Sequence, residues 1–296
     1  MNGGRDFIAF IHLFSISLAL MPGAPYKGAI TSRHKRSLGS MIFSFPIKAV
    51  ATTSAFLLIC ATTRAGTADD LIKNGETCDL KLQAADALSF YLPAERLEPN
   101  NAHLLACIAR QYRHLMADAP TRETKLRLGR IALDYAQRAA AIAPNDSEAQ
   151  LSPAISYGKM LPFESLREQT EAARHIKDAA ERAIKLDPRN DLAWHVLGRF
   201  HMVLASVTGI KRALAQLMFG ELPAASNEDA VMCFQRAIEI NPTRLMHYIE
   251  LGRTYAQMGR TADARRLINK GLAMPYIEKD DPEIKHSGRE TLAKLQ

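Results

Sequence analysis

The chain has 296 residues, room for about two average domains or one elongated array. Its 47% apolar and 23% charged residues are the proportions of a folded protein and exclude a disordered or collagen-like chain. The formal charge of +7 sits in the leader: residues 1–66 hold seven Lys or Arg and one acid, while residues 67–296 hold 31 basic and 30 acidic side chains. So neutral a body lacks the broad cationic face that binding to a phosphate backbone requires, which excludes nucleic acid as a partner.

In chain order the first feature is that leader. Phe7 to Leu20 and Ala49 to Thr63 are apolar runs shorter than the about 20 residues of a comfortable membrane span. Arg33, Lys35, Arg36 and Lys48 precede the second run, and Thr63 and Ala65 stand at the small-residue places before a cut after Ala65. Basic residues, a short apolar run and small residues in that order predict a targeting segment over 1–65 and an exported, periplasmic protein of bacterial type. Met41 opens a complete signal by itself, so residues 1–40 read as the product of an upstream start codon. An uncleaved membrane anchor and a mitochondrial transit peptide are the alternatives, because the leader is rich in Ser and Thr and nearly free of acids. Beyond the leader Cys78, Cys107 and Cys233 are odd in number and lack C-x-x-C spacing, which predicts small apolar core residues.

From residue 66 onward Pro99, Pro144, Pro188, Pro242 and Pro275 each follow an Ala-rich amphipathic stretch, at gaps of 45, 44, 54 and 33 residues. Proline has no amide donor and clashes with the preceding turn, so a recurring proline marks recurring helix ends. Trp194, Leu197 and Gly198, followed by Ala230, Phe234, Ala237 and Pro242, fit the pattern of a tetratricopeptide unit, as do Tyr248, Leu251, Gly252, Tyr255 and Ala264. The first unit keeps Gly75, Ala87, Tyr91 and Ala94; the second and third are degenerate. The reading is an all-α, tetratricopeptide-like right-handed superhelix of stacked helical hairpins with insertions. Its units are 68–101, 102–146, 147–190, 191–244 and 245–278, with a capping helix at 281–296. Glycine and alanine let the paired helices approach, and Trp194, Tyr255 and Phe234 fill the space between them.

Trp194-His195, Leu197-Gly198-Arg199-Phe200, Lys211-Arg212, Met218-Phe219-Gly220, Pro223-Ala224-Ala225-Ser226, Phe234 and Ala237 together resemble the regulator of microtubule dynamics family. The likeness is close over 191–296, loose from about residue 100, and includes the insertion as well as the repeat pattern. It implies an all-helical domain without known catalysis that acts in protein or lipid association. Eukaryotic members are linked to microtubules, membranes and mitochondria, so a role of that kind is implied if the chain is intracellular.

The insertion itself places Ile210, Ala213, Leu214, Leu217 and Met218 on one helical face, with Phe219 next to it. It packs on its own unit or, in the sharper reading, lids an apolar pocket or touches a membrane. Register puts Arg110, Arg113, Lys159, His195, Arg199 and Arg253 on the inner wall, where stacked guanidinium groups can clamp a carboxylate or phosphate. Pairing with acids such as Glu148 or Glu250 is the alternative. No phosphate loop, nucleophile elbow or zinc-protease motif occurs, so no catalytic residue, metal or cofactor is assigned. The expected function is non-catalytic binding of a protein or peptide in the groove, with an anionic lipid or other amphiphile as the alternative ligand.

Overall fold

A computed structural model of the chain describes residues 67–207, 209, 216 and 224–295. The leader lies outside the described residues, and so does the expected lid of Ile210, Leu214, Leu217, Met218 and Phe219. Among the described residues the elements are eleven α-helices and one short 3-10 turn. They are α1 (Ala68–Asp79), α2 (Ala84–Leu97), α3 (Ala102–Asp118), α4 (Arg122–Ile142), α5 (Ser147–Met160), α6 (Leu166–Leu186), α7 (Asp191–Ala205), α8 (Asn227–Ile240), α9 (Leu245–Gln257), α10 (Thr261–Ala273) and α11 (Asp281–Lys294).

The five recurring prolines each lie two residues beyond the end of a helix: Pro99 after α2, Pro144 after α4, Pro188 after α6, Pro242 after α8 and Pro275 after α10. Two residues later Asn101, Asp146 and Asn190 cap the following helix, accepting the amides of Leu104, Ala149 and Ala193 at 3.0, 2.7 and 3.0 Å. Proline ends one helix and a short polar side chain satisfies the free amides of the next, so the chain reverses within four residues. Aromatic rings then close two of the turns. Trp194 Nε1–H donates to the carbonyl of Pro188 at 3.0 Å, and Tyr248 O–H donates to that of Pro242 at 3.1 Å. Trp194 packs, as expected, against the core cluster of the paired helices and stays partly exposed at its indole N–H, which finds its acceptor at the turn.

The helices pair α1 with α2, α3 with α4, α5 with α6, α7 with α8 and α9 with α10, and each second helix packs on the first helix of the next pair. The seams rest on glycine facing a large side chain. A methyl on Gly198 would lie 2.9 Å from Cε1 of Phe234, and one on Gly75 would lie 2.4 Å from Cε1 of Tyr91. Both rings are fully buried, so the backbone of each first helix lies directly against them. Cys107 and Cys233 are buried and Cys78 is half-buried, all as free thiols. Helix α11 packs on α9 and α10, with Gly288 over Ile268 and Ile249. The first helices α3, α5, α7 and α9 thereby form one wall, and α11 turns its own first residues toward it.

Candidate functional site

Between that wall and α11 lies a hollow of about 490 Å³. Leu151, Ile155, Phe200, Val203 and Ile284 supply its apolar surface. Among the residues expected there from register, Arg110, Arg113, Lys159, His195 and Arg199 line it; Arg253 does not. The carboxylate of Glu250, 1% exposed, accepts from Arg253 Nη1 at 2.8 and 2.9 Å and holds Arg253 beside its own helix.

Of the two readings of these inward cations, pairing with acids describes several of them, and Glu250 is one of the acids. Arg110 Nε donates to Asp79 Oδ2 at 2.9 Å, and Arg199 Nη1 lies 3.5 Å from Glu250 Oε1. Lys159 is ion-paired with Asp280. Arg113 differs. It is 7% exposed, and its Nη1 donates to the hydroxyls of Ser152 and Ser156 at 3.2 and 3.0 Å. Among the described residues no carboxylate reaches ion-pair distance of it. Burial, and then the neighbouring charge of Arg110, pull its pKa down to about 10, so it stays protonated at neutral pH. Its side chain lines the hollow. Beside it burial lowers the pKa of His114 to about 4 and keeps that ring neutral; its Nδ1 is buried without a partner.

Two groups of functional interest escape a reading by register. Asp191 Oδ2 accepts from His247 Nε2 at 3.0 Å and lies 3.1 Å from Arg244 Nε, and the other ring nitrogen of His247 meets His195. These residues come from two separate stretches, 191–195 and 244–247, and nothing in the sequence joins the two. The acidic stretch from Glu278 to Glu283 also faces the hollow through Glu278, Asp280 and Glu283. Its signal was visible as a cluster of acids, which by itself reads as a solvated cap. Burial raises the pKa of Glu278 and of Glu283, and Glu283 Oε1 is buried without a hydrogen-bond partner. Burial alone would raise Asp280 too, but the charge and hydrogen bond of Lys159, together with neighbouring charges such as Arg199, outweigh it and hold the carboxyl below its ordinary value.

The family model described as Regulator of microtubule dynamics protein 1-3 matches residues 66–296. The chain belongs to this family. It is 24% identical over 230 residues to Regulator of microtubule dynamics protein 2 of Mus musculus, covering 74% of this chain and 56% of that protein. It is 26% identical over 230 residues to protein 1 of the same organism, covering 77% and 72%. The chain thus spans little more than half of the one relative and nearly three quarters of the other. A thermophilic TPR protein of Thermus thermophilus superposes with a TM-score of 0.56 at 15% identity, over 77% of this chain and 100% of that one. That likeness supports the tetratricopeptide-like fold. The family relatives are animal proteins, from mouse and also from Caenorhabditis elegans. Animal cells have no periplasm, so the expectation of an exported bacterial protein is corrected.

Proposed function

We propose that this family member is a non-catalytic helical-repeat protein that binds a protein segment in its concave hollow, with an anionic group of that segment meeting Arg113. The observation that carries the reading is the state of Arg113: buried, charged, held only by two hydroxyls, and lining the hollow. A desolvated guanidinium without a carboxylate favours an incoming anion, because its protein partners leave most of its charge uncompensated. Lys159 and Arg199 stand in the same wall, and the apolar side chains around Phe200 offer the ligand's other surface.

A hollow of about 490 Å³ falls within the range of ligand sites. A few extended residues with an acidic side chain use this space and spend their polar groups on the charged wall.

The test places a photo-cross-linking residue at Val196, in the hollow, or at Met232, 61% exposed on α8. A protein adduct formed at position 196, absent at 232 and reduced by Arg113→Ala supports the reading. Native mass spectrometry that finds an apolar molecule held by the chain and released by organic extraction, with no adduct at 196, overturns it.

A further inference from the structure

Chain segment 274–280, between α10 and α11, is attached to the wall of the hollow by charge. Lys279 Nζ lies 2.9 Å from Asp118 Oδ2 at the end of α3, Asp280 is paired with Lys159 on α5, and Glu278 Oε1 lies 3.0 Å from Arg244 Nη1 at the start of α9. One short strap thus reaches three hairpins. Its shape is set from within: Asp281 Oδ2 accepts the amides of Ile277 and Glu278 at 2.6 and 2.7 Å.

Apolar burial holds it only at its first residue, Met274, which packs against the core cluster of Tyr248, Leu251 and Leu267. Tyr276 and Ile277 are 58% and 53% exposed, so the strap turns these apolar side chains out and its acids in. The acids also fit imperfectly. Arg244 Nη1 makes no aligned hydrogen bond despite its approach to Glu278, and Glu283 Oε1 is buried without one. A strap whose purpose was only to seal the array would gain more from burying Tyr276 and Ile277 than from directing carboxylates at a charged wall. Partly exposed ion pairs are weak and screened by salt, so these contacts can be exchanged for equivalent ones at small cost.

We propose that Arg113, Lys159 and Arg244 form a receiving wall for an acidic, extended protein segment, and that the chain's own Glu278 and Asp280 occupy part of that wall until such a segment displaces them. The inference rests on the reading of the hollow as a protein-binding site. It adds the charge of the partner and what meets the wall before the partner arrives. Displacement conserves charge: each carboxylate that leaves Lys159 or Arg244 is replaced by one of the partner's, and the strap's acids pass to water.

The probe is a fluorescent synthetic peptide of residues 275–283, added to the full chain in trans, beside a version with its acids replaced by Asn and Gln. In a chain carrying Glu278→Gln and Asp280→Asn the acidic peptide binds at least tenfold more tightly than in the wild type, and Lys159→Glu in that background abolishes the gain. Equal affinity of the acidic peptide for the two chains, or equal binding of the neutral peptide, overturns the proposal. Should the double variant fail to fold, as judged by its thermal melt, the wild type still decides. Saturable binding of the acidic peptide that weakens with salt and is missing for the neutral one supports the proposal, and no binding overturns it. Cross-links at Val196 together with no peptide binding reject the strap alone; loss of both rejects the hollow as the binding site.

Discussion

His195 Nδ1 lies 3.0 Å from His247 Nδ1, and only one proton fits between them. The far side of His247 decides which ring carries it. Its Nε2 must donate to the carboxylate of Asp191, so a neutral His247 offers a lone pair at Nδ1, and His195 donates there. Burial holds both rings below their ordinary pKa, with His247, Arg199 and Arg244 lowering His195 further. His195 therefore lines the hollow as a neutral ring whose Nε2 carries a lone pair, and not as one more cation. Nitrogen-15 NMR of the full chain near neutral pH is expected to show His195 neutral and protonated on Nδ1. A proton on Nε2, or an imidazolium, would refute the assignment.

Glu250 binds Arg253 and approaches Arg199 while 1% exposed, which ties α7 to α9. Removing its charge takes a buried carboxylate away from two partly buried guanidinium groups. Glu250→Gln is expected to cost about 3 kcal/mol, the scale for breaking a buried pair from one side. Urea denaturation measures this through the midpoint, and a midpoint equal to that of the wild type would contradict the role given to the carboxylate.

Glycine to alanine has opposite expected signs at two positions. At Gly75 the added methyl would lie 2.4 Å from the buried ring of Tyr91, and the strain of about 1–3 kcal/mol exceeds or cancels the about 1 kcal/mol gained in helix propensity. At Gly158, inside α5, no atom lies within 4 Å of the new methyl, so the propensity gain stands alone. Thermal melts of the two variants test the pair. A stabilised Gly75→Ala would show that the first hairpin is looser than its packing implies.

Acid should weaken the fold through His114 before ordinary carboxylates titrate. Its pKa is lowered from 6.5 to about 4 by burial, so the unfolded chain takes up a proton that the folded chain refuses. Stability is complete above the unfolded value, begins to fall below pH 6.5, and has lost this contribution once the pH passes below about 4, by up to about 3 kcal/mol. His195 and His247, also lowered, act in the same direction. The melting temperature of His114→Leu should fall less than that of the wild type between pH 7 and pH 4.5; parallel profiles would remove His114 from this account.

Much of the architecture is legible in one sequence because its causes are local. Each proline stops a helix within its own turn, Asn101, Asp146 and Asn190 cap the next one, and Gly198 with Phe234 announces a close seam through repeat spacing. The same register located Arg110, Arg113, Lys159, His195 and Arg199 on the hollow. It failed at Arg253, where a carboxylate three residues earlier on the same helix captured the guanidinium. It also missed the strap, since an acidic stretch carries no mark of the basic side chains it will meet.

The sequence by itself determined that this protein is a stack of helical hairpins and which face of each first helix looks inward, since helix ends and helix faces depend on residues a few positions apart. Only the tertiary structure decided which inward charges are spent and which are left over. Arg110 found Asp79, Arg199 found Glu250 and Lys159 found Asp280, whereas Arg113 found two serines. Those partners lie between 31 and 121 residues away along the chain, and a Coulomb interaction depends on the distance that folding creates and on the water it removes, neither of which spacing records.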